Sequence, residues 1–222
     1  MKPKSKGKLA IFDTFKTKEK DLTGEAKRQR AIITILGSNA NPAERTRTGI
    51  SQKIAKKQGI AWKNIYSGIF RDLDEILLPM KIAEEDGRLP LKRVPKALQE
   101  KGIPYYHLTK KGILVRLAIN GIEDMESQLK EFFDQSEPEE KEFEKILIKF
   151  MTTSPTFTYS IFQKYVKAFC EDKIKELLPF DLSKLQDISD ENLVILKEIV
   201  LTFGKLSSQE KKEAIRFLDK IT

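Results

Sequence analysis

The sequence predicts a mainly α-helical protein. Its first half holds three to four helices and a small β-hairpin, and its second half an α-helical bundle. Three observations carry this. Apolar residues recur three and four apart along most of the chain. Start and stop signals flank those runs, with Thr23, Thr109 and Ser207 placed as N-caps and Gly37, Gly59 and Gly204 as terminators. One aromatic run, Tyr105-Tyr106-His107-Leu108, has strand character and sits between two helical stretches.

Composition narrows the class. The chain has 222 residues, 40% of them apolar, which suits one large or two small domains with a true core. Cys170 is the single cysteine, so no intramolecular disulfide forms. One His and one Cys are too few for a structural zinc site. No run approaches the ~20 apolar residues a membrane span needs. No secretory signal is visible, so a soluble cytoplasmic protein is expected, nucleoid-associated if prokaryotic. Charge is segregated. Residues 1–120 hold 26 Lys and Arg against 12 Asp and Glu, a net +14; residues 121–222 hold 15 against 21, a net −6. A basic first half beside an acidic second half points to a polyanionic partner for the first.

Residues 1–22 read as a basic flexible arm, suited either to neutralising phosphates or to solubilising the end. Leu9-Ala10-Ile11-Phe12 is awkward for disorder and suggests docking. Thr23 caps a helix over 25–36 with Ala31, Ile32, Ile35 and Leu36 inward. A polar loop, 38–47, carries Arg45 and Arg47. Thr48 is expected to cap a helix over 50–58, stopped by Gly59, with Ser51, Gln52, Lys53, Lys56 and Lys57 on its polar side. A second helix over 61–77 turns Ile65, Ile69, Leu73 and Ile76 inward and Lys63, Asn64, Ser67 and Arg71 outward. Trp62 is either core or a surface contact. Asp72, Asp74 and Glu75 make the far end acidic. Helix, Gly-containing turn and helix make a helix-turn-helix unit.

Together with the ending Tyr106-x-Leu108-Thr109-x-x-Gly112, these segments resemble the winged helix-turn-helix regulators, among them the multiple-antibiotic-resistance and PadR types. The resemblance spans roughly residues 25–120. It implies a domain at 23–120 that binds double-stranded DNA, with helix 61–77 in the major groove and a β-wing on the phosphates. Asn is suited to adenine, Lys and Arg to guanine or phosphate. Arg88, Lys92, Arg93 and Lys96 would belong to the wing. The loop 38–47 and the wing are longer than the pattern.

Gly121 reads as a joint to an acidic helical domain at 121–222, for dimerisation or partner binding. Its expected helices cover 122–135, a segment opened by a Ser136/Glu139 capping box with Phe143, Ile146, Leu147 and Phe150, a longer helix from Pro155, and two last helices with Leu193, Leu196, Val200 and Phe203, then Ala214, Phe217, Leu218 and Ile221. There is no phosphate-cradling Gly-rich loop, nucleophile elbow or dinucleotide fingerprint, and acids flank Cys170, so no enzyme and no cofactor is expected. The expected function is transcriptional regulation as a homodimer on duplex DNA. The alternatives are a winged-helix protein-interaction scaffold using the acidic helices, or an RNA-binding module.

Overall fold

A computed structural model describes residues 7–38, 41–91, 102–119, 124–186 and 191–221. It is mainly helical with two small antiparallel sheets, and it divides into two compact units, one ending at Leu182 and the other beginning at Ser183. The expected joint at Gly121 lies outside the described residues. The α-helices between it and Leu182 belong to the same unit as the basic half.

The first unit opens with a correction to the flexible arm. Leu9, Ala10 and Ile11 are buried. The buried Gln29 accepts the Ala10 N–H at 2.8 Å, and Arg30 donates to the Ile11 carbonyl at 2.6 Å. Strands β1 (Thr14–Phe15) and β2 (Lys18–Leu22) then form a hairpin. Residues 1–6 lie outside the described part of the arm.

Helix α1 (Gly24–Leu36) is capped by Thr23, whose hydroxyl accepts the Ala26 N–H. It buries Ile32, Ile33, Ile35 and Leu36; Ala31, expected inward, is only half-buried. Helix α2 (Arg47–Gln58) begins earlier than its apolar pattern implies. Its cap is Thr46, not Thr48: the Thr46 hydroxyl accepts the Gly49 N–H and donates to the Ala43 carbonyl. Gly59 ends α2 in the left-handed region, φ 68°, which glycine adopts without Cβ strain. Helix α3 (Lys63–Arg71) continues as a π-helical turn over Asp72–Leu77.

Strands β3 (Ala83–Leu89) and β4 (Ile103–Leu108) pair antiparallel, with an irregularity between Glu85 and Gly87. Thr46 adds an isolated bridge to Tyr105. Tyr106 is buried while Tyr105 is half-exposed, the alternation expected of a strand. Thr109 caps α4 (Lys110–Leu117). Every residue from Gly112 to Ile119 is buried, because α4 packs on α1 on one side and on later helices on the other.

Those later helices are α5 (Met125–Asp134), α6 (Glu144–Thr153) and α7 (Pro155–Cys170). Their core is aromatic: Phe132, Phe133, Phe162 and Tyr165 are buried, and all four pack on the ring of Phe180. Phe143 and Ile146, expected inward, are exposed, and Leu147 takes the buried position. The capping box before α6 is Glu137 with Glu140, not Ser136 with Glu139. Ser136 instead donates to the Phe132 carbonyl, ending α5.

The second unit carries two helices, α8 (Glu191–Lys205) and α9 (Ser208–Ile221). Ser207, predicted as an N-cap, accepts the Glu210 N–H at 3.4 Å, and its own N–H donates back to the Glu210 carboxylate at 2.8 Å. No helix among the described residues is long and apolar enough to cross a membrane.

Glu140 locks the first unit together. Its buried carboxylate accepts from Lys110 on α4, from the Phe180 N–H at 2.7 Å and from the Glu137 N–H at 3.1 Å. Burial pushes its pKa up, but the Lys110 contact and the two backbone donors outweigh it, and the net shift is downward. A carboxylate depressed in the folded state stabilises above its unfolded pKa of about 4.3, and that stabilisation is lost as pH falls through the folded pKa. Urea unfolding measured from pH ~6 down to pH ~3 should therefore show falling stability. Glu140→Gln should be less stable at neutral pH and should flatten that fall.

Candidate nucleic-acid interface

The elements that could meet a polyanion are α2, the turn at Gly59 and α3. Apolar packing sets the rotation of α3 and of the turn that continues it: Ile69, Leu73, Ile76 and Leu77 face the core, while Ile65, expected inward, is only half-buried. The opposite face is then fixed by helical geometry. Lys63, Asn64 and Ser67 lie on it, exposed, and their side chains make no hydrogen bond or ion pair among the described residues. Gln52, Lys56 and Lys57 on α2 are likewise exposed and uncommitted. These residues form a free set of donors and cations beside one another on a helix pair.

Other residues expected at the interface are engaged inside the molecule. Arg47 forms a forked pair with Asp74, its closest contact 2.6 Å, and lies over the rings of Phe70 and Tyr106. Burial lowers its pKa, but the hydrogen bond and charge of Asp74 and the nearby tyrosines outweigh that and raise it overall. Arg45 donates to Asp86 at 2.9 Å and to the Tyr106 carbonyl, and covers the Tyr105 ring. Lys53 pairs with Glu44 at 2.8 Å, and Arg88 with Glu85 at 2.6 Å. Ser51 is removed from the face altogether: it is buried, and its hydroxyl donates to the Arg47 carbonyl one turn earlier. Trp62 is half-buried and meets Tyr66 edge to face. Arg71 is exposed, 3.7 Å from Asp72 and 4.0 Å from Glu25. Lys92, Arg93 and Lys96 lie outside the described residues.

The acidic end of α3 does more than avoid phosphate. Asp72 is fully buried and bonds Arg28 of α1 at 2.8 Å. Arg28 in turn crosses α3 at Gly68, where an added Cβ would lie 2.9 Å from its Nε. Arg28, Asn64, Ile65, Ser67, Gly68 and Arg71 line a shallow depression on this side of the helix. Neither Arg28 nor Phe70 was expected at the site. Phe70 was legible, standing seven residues after Lys63 on the same face. The Arg28–Asp72 pair was not, since its members are 44 residues apart.

His107 lies on β4. It is partly exposed and sits 3.1 Å from Glu84 and 3.6 Å from Asp86. Cys170 is buried, and its thiol pKa is pushed up to about 12, first by burial and then by Asp13, Glu171 and Asp172 against the opposing pull of Lys8. Among the described residues no group of three or more His, Cys, Asp or Glu is placed to hold a metal.

Compared with known protein families, with curated proteins and with solved structures, the chain shows no match. The site's chemistry therefore rests on its own geometry.

That geometry has an asymmetric energetic consequence. Arg28→Met would strand the buried Asp72 carboxylate and should cost about 3 kcal/mol in chemical denaturation. Asp72→Asn leaves only a partly exposed guanidinium and should cost about 1–2 kcal/mol.

Proposed function

We propose that the protein binds double-stranded DNA as a transcriptional regulator of winged helix-turn-helix type, with α3 in the major groove. The observation that carries this reading is the uncommitted strip of Lys63, Asn64 and Ser67 on an outward helix face. The order of elements supports it: α1, a bridging residue at Thr46, α2, a glycine turn, α3 and then an antiparallel hairpin. So does the +14 net charge of residues 1–120. Lys63 would contact guanine or phosphate, Asn64 adenine, and Lys56 and Lys57 the backbone.

The engaged arginines refine the mechanism. Arg45, Arg47 and Arg88 hold the wing and α3 in place instead of supplying free charge. Phosphate neutralisation then falls to the lysines, and the salt dependence should be moderate. A homodimer on paired half-sites is part of this reading. The feature that supports pairing is α8, where Val194, Ile195, Ile199, Val200 and Leu201 are all exposed in a 15-residue helix. A helix apolar around most of its circumference calls for more cover than one neighbour provides.

Fluorescence anisotropy with a random-sequence duplex tests the proposal. Wild-type protein should bind at low salt, and Lys63→Gln with Asn64→Ala should weaken binding by roughly tenfold or more. The same affinity for that double variant would overturn the docking. Sedimentation tests the pairing: Val200→Asp with Leu201→Asp should shift a dimer to monomer.

A further inference from the structure

Phe70 is an apolar side chain on the open face of α3. Lys63, Tyr66, Ser67 and Phe70 stand at i, i+3, i+4 and i+7, so they form one contiguous strip. Phe70 is 46% exposed, although core positions lie close by on the same helix. Its ring is held in place: the Arg47 guanidinium lies 5.2 Å from its centroid, and Arg47 is itself fixed by Asp74 and by the Tyr106 ring at 5.1 Å. Tyr66 is steadied by its edge-to-face contact with Trp62 at 5.6 Å.

An apolar side chain held beside hydrogen-bonding ones matches one feature of the major groove. Thymine offers a C5 methyl group there, and no other base edge does. A ring already fixed before contact loses little freedom on binding. The neighbouring Lys63 supplies charge complementary to the backbone. We propose that Phe70, with Tyr66 beside it, contacts the thymine C5 methyl in the duplex held by α3. The protein would then distinguish thymine from uracil at that position. This inference rests on the duplex-binding reading above, and it names the base that the aromatic part of the face selects.

The test changes only the methyl group. Duplexes enriched by the wild-type protein from a random pool are resynthesised with deoxyuridine replacing thymidine. Wild-type protein should bind the uracil form about fourfold more weakly for each methyl contacted. In Phe70→Ala the thymine-to-uracil ratio should fall to one, whatever the overall affinity. Phe70→Leu retains an apolar contact and should keep a preference for thymine, which guards against misreading a folding defect. Equal wild-type affinity for the two forms overturns the inference while leaving duplex binding standing. An undiminished preference in folded Phe70→Ala overturns the role of Phe70. Failure to bind either duplex at low salt overturns both the inference and the reading beneath it.

Discussion

Two carboxylates in the π-helical turn that continues α3 hold the basic half of the molecule in its arrangement. Asp72 is buried and takes Arg28 from α1. Asp74 takes Arg47 from the first turn of α2. Each bond joins α3 to a different helix, so together they fix its position as the apolar stripe fixes its rotation. Such pairs stabilise little relative to apolar packing, because taking both charges out of water offsets their attraction. Their effect is on geometry, since a buried charge tolerates few arrangements other than the one with its partner.

The same pairs decide what the outer surface offers. Acidic residues consume the arginines that segregated charge had suggested for a partner. What remains open is a narrow strip with amide, hydroxyl, ammonium and aromatic chemistry side by side. A broad cationic surface would favour any polyanion. A narrow mixed strip discriminates by shape and by pairing of donors and acceptors.

Local features were legible in the sequence. Thr23, Thr109 and Ser207 act as caps because a cap depends on residues within one turn. The strand at Tyr105–Leu108 and the inward stripe of α3 followed from periodicity. Features set by distant contacts were not legible. Thr46 displaced Thr48 as a cap because its backbone also bridges to Tyr105. Glu140 displaced Glu139 in the capping box because its carboxylate also reaches Lys110 and Phe180. The exposed positions of Lys63, Asn64 and Ser67 followed directly from helical spacing. The capture of Arg45 by Asp86 and of Arg47 by Asp74 depended on residues 41 and 27 positions away.

The π-helical turn at the end of α3 has a consequence for how the chain tolerates changes of length. Between Asp72 and Leu77 the backbone carries wider hydrogen-bonded rings, as in the Leu78 N–H to Leu73 carbonyl bond at 2.9 Å. Such a bulge accommodates one residue more than an α-helix of the same rise. Removing a single residue there would let the helix tighten to ordinary winding while keeping the chain that follows in phase. Removing one between Ile65 and Ile69 would instead rotate everything beyond it by about 100°. The segment thus acts as a phase adjuster, between the angular setting of the outward strip and that of the chain beyond Leu77.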